Sequence, residues 1–318
     1  MLCNTGIGLF ENQAFHAMKE DRRYITHFHL VAKPFEESCG PRFVWLGDKQ
    51  LENLAYLKVG IEEGKGILLL VGENGSGKSV LVDRLLPVIA GDLKSAVVRE
   101  TGIPVEQFFD LLIEAFGLDR GIATKGEFLF HFRECLKAEH AAGKRLLLVL
   151  ENAELQADEI LEQVRLFSNM EEKGAKLINI LLVGTSRLLE RIESFELRAL
   201  FQRCAVRRWV EPFSVEETGA YIRHRLMAAG SFLEIFTPKA VGLVQRLSGG
   251  APRHINRVCE HALKRGGRAG LQRIDEKPLR AYARELQDDL PPAGKPDAVF
   301  KKWLERLKDA RKGDVSAR

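Results

Sequence analysis

The sequence is poor in cysteine, and its few cysteines form no pattern. Its 318 residues include only Cys3, Cys39, Cys135, Cys204 and Cys259, with no CxxC pair among them. An odd, scattered set of cysteines argues against both a disulfide framework and a zinc site. We therefore expect a protein that works in a reducing compartment.

Long hydrophobic runs are also missing. The apolar stretches at Ile67–Val71 and Leu146–Leu150 are far shorter than the ~20 residues that a membrane helix needs. The N-terminal region carries Glu11, Glu20 and Asp21, and it lacks the pattern of a secretory signal. We expect a soluble, cytoplasmic protein with no membrane span.

There is little excess charge of either sign. The formal net charge is +4 and the isoelectric point is about 8.7. With 45% hydrophobic and 29% charged residues, the composition is that of a folded globular protein. A balance this mild neither requires nor excludes a nucleic-acid partner.

Apolar runs alternate with amphipathic segments through the first two thirds of the chain. The runs predict strands at residues 67–71, 95–99, 145–150 and 176–183, with helices at 50–60, 79–89, 105–116, 125–140 and 158–169. This order predicts an α/β fold in which helices cover both faces of a parallel sheet.

From about Val210 the pattern becomes helical only. Helices are predicted at residues 214–229, 238–247 and 254–266, with one more beyond Arg273. We divide the chain into an N-terminal extension (1–33), an α/β core (34–208), a small all-helical domain (209–281), and a proline-rich linker with a basic C-terminal helix (282–318). That last helix is expected to dock on protein rather than on nucleic acid or membrane.

The strongest motif is a glycine-rich turn between a predicted strand and a predicted helix. Gly72 and Gly77 enclose four residues and are followed by Lys78 and Ser79, which is the P-loop pattern for ATP. The backbone amides would hold phosphate, Lys78 would reach the β- and γ-phosphates, and Ser79 would bind Mg²⁺. The predicted nucleotide-binding residues are Gly72, Glu73, Asn74, Gly75, Ser76, Gly77, Lys78, Ser79 and Val80.

Polar residues follow the predicted strands at 145–150 and 176–183. Glu151, Asn152 and Glu154 come after the strand at 145–150, where an acidic residue would stand beside Mg²⁺. Thr185 and Ser186 follow the strand at 176–183. A hydroxyl there, between the ends of the strands at 67–71 and 145–150, could orient water; a helix N-cap is the alternative.

Two arginines are candidate charge sensors. Arg203 follows a predicted helix near the domain junction, and Arg253 begins a helix of the second domain. A guanidinium can neutralise charge that develops on a transferred phosphoryl group. The alternative for each is an ordinary surface arginine.

The chain resembles the ExeA-type AAA+ ATPases, the general secretion pathway A group, which are related to origin-recognition and transposition-helper ATPases. The resemblance covers about residues 33–270. Besides the P-loop it rests on KPF (33–35), PRFVWL (41–46), LEQVRLFSNM (161–170), LRALFQR (197–203), YIRHRL (221–226) before Ala229-Gly230, and GGAPRHIN (249–256).

The resemblance implies a P-loop AAA+ three-layer core, a helical lid and roles for individual residues. Thr185 or Ser186 would be the first sensor, Arg203 a finger offered to a neighbouring subunit's ATP, and Arg253 the second sensor. A finger that acts between subunits implies self-assembly into a ring or filament.

The sequence departs from the family after the predicted strand at 145–150. The family usually has Asp-Glu-Ala-Gln there, whereas this chain has Glu151-Asn152-Ala153-Glu154. Glu151 can still serve Mg²⁺, but the Asn152 amide cannot accept a proton from water. Glu154 could substitute only if the loop turns it inward, so we expect ATP binding with slow or lost hydrolysis.

Three functions remain open at this point. The first is an ATP-driven switch that assembles or remodels a protein partner of unknown identity. The second is a DNA-associated regulator such as a transposition helper. The third is a secretion or envelope assembly scaffold, although the membrane span and cell-wall-binding module of secretion members do not occur in these residues.

Overall fold

The computed structural model describes residues 22–37, 40–89, 91–118, 121–122 and 124–286. These residues fall into two compact units. One, the α/β unit, is residues 48–211. The other, the helical unit, combines residues 22–47 with residues 212–286.

The α/β unit is built on a parallel sheet of five strands in the order β2-β3-β6-β1-β7, with a two-stranded hairpin, β4–β5, beside it. In chain order the strands are β1 Ile67–Val71, β2 Leu93–Val98, β3 Arg145–Leu150, β4 Glu171–Glu172, β5 Ala175–Lys176, β6 Asn179–Gly184 and β7 Cys204–Trp209.

The three central strands are almost entirely apolar because helices cover both faces of the sheet. Every residue of β1 and β6 is buried, and so is all of β3 after Arg145. The helices of this unit are α1 Asp48–Glu62, α2 Lys78–Leu85, α3 Val105–Phe116, α4 Lys125–Ala141, α5 Asp158–Phe167, α6 Ser186–Ile192 and α7 Arg198–Gln202. The predicted α/β class and its parallel sheet are confirmed.

The edge strand β7 was not predicted. It pairs with β1 in parallel, but its sequence CAVRRW contains Arg207 and Arg208 and lacks a continuous apolar run. Its polar residues find local partners: Arg208 donates to Asn53 at 2.7 Å, and Arg207 lies 4.0 Å from the ring of Phe201. At the edge of the sheet β7 is less enclosed than the central strands: only its first and last residues are buried, so its side chains need not be uniformly apolar.

The helical unit contains α8 Val215–Ala228, α9 Pro238–Ser248, α10 Pro252–Arg268 and α11 Glu276–Leu286. Ser214 and Glu217 form a capping box at the start of α8, which satisfies amide groups that the first turn leaves free. The structure thus confirms the predicted all-helical region. The C-terminal helix predicted within 282–318 lies almost entirely outside the described residues.

Residues 34–47 pack with the helical unit, whereas the sequence-based division placed them in the core. Arg225 of α8 is buried and donates to the carbonyl oxygens of Pro34 at 2.5 Å and Glu36 at 2.7 Å, with a longer contact to Phe43. A buried guanidinium needs such acceptors. Two motifs far apart in sequence, KPF and YIRHRL, therefore form one folded structure.

No helix of the described residues is long and apolar enough to cross a membrane.

Candidate nucleotide-binding site

The turn between β1 and α2 has the backbone shape of a phosphate-binding loop. Gly75 and Gly77 adopt φ values of 77° and 96°, which glycine tolerates and other residues rarely do. A Cβ added at Gly72 would lie 2.8 Å from Ser76 Oγ and 2.9 Å from Val210 Cβ. The Ser76 hydroxyl is buried and has no hydrogen-bond partner among the described residues. Close packing and an unpaired polar atom fit a loop shaped for a ligand.

The lysine of the motif is bound by the loop itself. Lys78 begins α2, and its Nζ donates to the carbonyl oxygens of Gly72 at 2.7 Å and Glu73 at 3.0 Å. Four other residues of the predicted nucleotide site are exposed: Glu73, Asn74, Ser79 and Val80. The ammonium group is therefore held within the loop that the sequence predicts to surround phosphate.

The predicted magnesium ligands come together. Ser79 Oγ donates to Glu151 Oε2 at 2.5 Å, and the Glu151 carboxylate is buried although its residue stands at a strand end. A hydroxyl and a carboxylate are oxygen donors of the kind that Mg²⁺ prefers, so the residues present fit the ion. Since the described residues contain no group of three or more His, Cys, Asp or Glu that could hold a metal, the remaining ligands would be nucleotide oxygens and water.

Arg99 is a site residue that the sequence did not identify. Its Nε donates to Glu151 Oε1 at 2.9 Å, and its Nη2 donates to Asp83 Oδ1 at 2.8 Å. The residue directly follows β2, and β2 pairs with β3 up to Val98 opposite Leu150. Knowledge of the strand order would have placed Arg99 beside Glu151, but the sequence does not state that order.

The two remaining polar residues after β3 differ sharply in their surroundings. Asn152 is exposed and has a left-handed backbone, with φ 50° and ψ 42°. Glu154 Oε2 is buried and has no hydrogen-bond partner in the described part of the chain. A Cβ added at Gly184 would overlap this oxygen. The loop thus turns Glu154 inward, against the end of β6.

Thr185 and Ser186 are buried at the carboxyl end of β6, which lies between β1 and β3. The Gly72 amide donates to the Gly184 carbonyl at 3.1 Å, so this strand end adjoins the first residue of the P-loop. Thr185 is the N-cap of α6, as the alternative interpretation proposed, but its side chain accepts no capping hydrogen bond. Its predicted role as a sensor stays a prediction.

Arg203 follows α7 and is exposed at its C-cap. Its side chain has no ion pair or hydrogen bond within the residues described. The pKa of the nearby Glu162 is lowered, mainly by a hydrogen bond from Arg165, with the positive charge of Arg203 contributing. The guanidinium of Arg203 is therefore available to an external anion.

Arg253 belongs to the helical unit and lies in the first turn of α10. Its Nε is 3.7 Å from Glu37 Oε1, and both side chains are more than half exposed. A pair this exposed contributes little to stability. An incoming anion could replace Glu37 at small cost, but the sensor role of Arg253 remains a prediction.

Comparison with known proteins places this geometry in a family. A family model described as "AAA domain" matches residues 61–192. General secretion pathway protein A from Aeromonas hydrophila is 33% identical over 264 residues, which are 83% of this chain and 48% of that protein. This chain thus spans about half the length of that curated relative.

Solved structures agree on the fold. Cdc6p from Pyrobaculum aerophilum matches with a TM-score of 0.62 at 15% identity, over 80% of this chain and 71% of that one. The Aeropyrum pernix ORC1 protein, solved in complex with DNA, matches with a TM-score of 0.58 at 18% identity, over 80% and 69%. At such identities the likeness is one of fold alone.

The matched domain, the parallel sheet with its P-loop and the relative of the same type lead to one assignment. This chain belongs to the AAA+ family of P-loop proteins and is related to general secretion pathway protein A.

Proposed function

We propose that this chain binds ATP with Mg²⁺ at the P-loop and uses it as a switch for assembly or remodelling. The observation that carries the proposal is the hydrogen bond from Ser79 to the buried Glu151. It joins the first turn of the P-loop helix to the acidic residue that follows β3, two strands away from β1 in the sheet. This is where P-loop proteins hold Mg²⁺ against the phosphates.

The position of Lys78 supports phosphate binding. Its ammonium group rests on two loop carbonyls, both neutral acceptors. Phosphate oxygens carry charge and accept stronger hydrogen bonds than carbonyls do, so the β- and γ-phosphates would replace these contacts favourably. The amides of the loop and the N-terminus of α2 would bind the same phosphates.

Hydrolysis is proposed to be slow and to depend on Glu154. Asn152 has an amide in place of a carboxylate and is directed to solvent. Glu154 Oε2 is buried and has no hydrogen-bond partner among the described residues, and Glu154 lies at the same carboxyl end of the sheet as Glu151 and Thr185. An unpartnered carboxylate can accept a proton from water, which a general base must do.

The proposal includes self-assembly because the Arg203 side chain has no ion pair or hydrogen bond among the described residues of its own chain. We propose that it stabilises the ATP of a neighbouring subunit in a ring or filament. Arg253 is proposed as the sensor of the helical unit, where bound phosphate would take the place of Glu37.

The test is ATP affinity and ATP turnover, measured with Mg²⁺ on the wild type and on Lys78→Met. We expect micromolar or tighter binding by the wild type, turnover well below one per second, and a loss of affinity of at least about 100-fold in Lys78→Met. Lys65→Met is the matched control, since Lys65 is half exposed and, within the part of the chain that the structure describes, forms an ion pair with Glu63 alone. A wild type that binds no nucleotide would end the proposal.

A second candidate is a DNA-associated ATPase such as a transposition helper. Helix α10 carries five lysine or arginine residues against one glutamate, a larger charge bias than that of the whole chain. The likeness to the DNA-bound ORC1 structure is compatible with this idea. ATP-dependent retention on duplex DNA that weakens steeply between about 50 and 200 mM salt would support it.

The third candidate, a scaffold for secretion or envelope assembly, is favoured by the relationship to general secretion pathway protein A. It predicts one specific protein partner, recruited in the presence of a non-hydrolysable ATP analogue, and no retention on DNA. Retention on DNA without such a partner would exclude it.

A further inference from the structure

Four side chains form a continuous polar chain beside the P-loop helix. Ser79 donates to one oxygen of Glu151, Arg99 donates to the other, and Arg99 also donates to Asp83. Ser79 and Asp83 are four residues apart on α2, which places both on one face of the helix. Arg99 therefore links the end of β2 to the residues predicted to hold Mg²⁺.

The three charged side chains of this polar chain differ in their exposure to solvent. The Glu151 side chain is only 5% exposed, whereas those of Arg99 and Asp83 are 52% and 62% exposed. A buried carboxylate is costly unless a cation compensates it. Among the described residues, Arg99 is the cation that pairs with Glu151.

Mg²⁺ and Arg99 would therefore act on the same carboxylate. Glu151 has two oxygens: Arg99 binds Oε1, and Oε2 faces the hydroxyl of Ser79. This arrangement leaves Oε2 for the metal, while Oε1 stays bound to the positively charged guanidinium. Because like charges repel, the guanidinium weakens the attraction of Glu151 for a divalent cation.

We infer that Arg99 is a positioning residue that sets the Mg²⁺ concentration required for nucleotide binding, and that Asp83 opposes its effect. The inference rests on the proposed function, since it concerns the same site. Arg99 fixes the orientation of Glu151 and lowers its negative charge, so that Mg²⁺ is held firmly only together with nucleotide phosphates. The negative charge of Asp83 offsets part of the effect of the guanidinium on Glu151.

Two substitutions should shift the Mg²⁺ requirement in opposite directions. In Arg99→Gln the carboxylate is uncompensated, and the Mg²⁺ concentration for half-maximal binding of the β,γ-imido analogue of ATP should fall by about tenfold. In Asp83→Asn the guanidinium acts on Glu151 alone, and the same concentration should rise by about threefold. Arg99→Lys, which retains the charge but not the two-pronged donor geometry, should lie between the wild type and Arg99→Gln.

In the experiment, Mg²⁺ is titrated at a fixed concentration of the analogue, and binding is measured by displacement of a fluorescent nucleotide. A thermal melt without nucleotide is recorded in parallel. Arg133→Gln is the control, because Arg133 is exposed on α4 and lies outside this polar chain. In the metal-free melt Arg99→Gln should be less stable than the wild type, and Mg²⁺ alone should restore part of the loss. If Arg99→Gln fails to fold, the inference is still tested by the rise in the half-maximal Mg²⁺ concentration that is expected for Asp83→Asn.

Shifts of the same sign in Arg99→Gln and Asp83→Asn, or no shift beyond that of Arg133→Gln, would overturn the inference while leaving the proposed function intact. A wild type that shows no Mg²⁺-dependent nucleotide binding would overturn both.

Discussion

Exchanging Glu154 for glutamine tests the effects on stability and on catalysis of a carboxylate whose Oε2 is buried and has no hydrogen-bond partner among the described residues. The perturbation is nearly isosteric: it replaces one oxygen with an amide nitrogen and removes the charge. We expect the variant to be more stable than the wild type and to lose ATP turnover while retaining ATP affinity.

The magnitude follows from the surroundings of Glu154 Oε2. This atom is buried and has no hydrogen-bond partner among the described residues. Leaving a buried polar group unsatisfied costs about 1–3 kcal/mol, and more if the group is charged. Glutamine still buries a polar atom but no charge, so we expect a gain of about 1 kcal/mol, or roughly 2–4 °C in the melting temperature of a unit this size.

The kinetic effect should be larger. A general base contributes about 100- to 10,000-fold to a rate, and an amide cannot replace it. The assay compares phosphate release under saturating ATP, ATP affinity and thermal melts. Asn152→Gly is the matched control, because it removes the neighbouring exposed side chain and permits the left-handed backbone. It should keep turnover within about threefold of the wild type.

Turnover that persists in Glu154→Gln and disappears in Asn152→Gly would refute this reasoning. So would a Glu154→Gln variant that melts lower than the wild type, because the buried oxygen would then have had a favourable partner.

Three further predictions concern stability. Gly72→Ala places a methyl group against two neighbours and should cost about 1–3 kcal/mol, with weaker nucleotide binding, as thermal melts and titrations will show. Arg225→Met removes the donor that holds residues 34–43 and should cost about 2–4 kcal/mol in urea unfolding, with faster proteolysis of that segment. Hydrogen bonds from Lys144 and then Lys94 lower the pKa of Glu139 to about 2. Its stabilising effect is thus complete above the ordinary carboxyl pKa of about 4 and lost as pH falls to about 2; the melting difference between wild type and Glu139→Gln should shrink over that range.

Much of the fold could be predicted from local patterns. Helix α3 and the strands β1 and β3 have the bounds that the apolar spacing predicted, because both ends of each element carry strong local signals. The P-loop was visible for a similar reason: its residues are contiguous, and glycine, lysine and serine are required at fixed spacing.

Features that depend on neighbours distant in sequence were not visible. The edge strand β7 contains two arginines whose partners lie in α1 and α7. Arg99 stands beside Glu151 only because β2 pairs with β3. Residues 34–47 join the helical unit because the guanidinium of Arg225 binds their carbonyls.

By itself the sequence determined the class of fold and the phosphate-binding loop, since alternating apolar runs and contiguous glycines act over a few residues. The tertiary structure alone decided that Glu154 turns inward, that Asn152 faces solvent and that Arg99 compensates Glu151. Those outcomes depend on strand order and on which side chains become buried together, and both arise only when distant segments pack against each other.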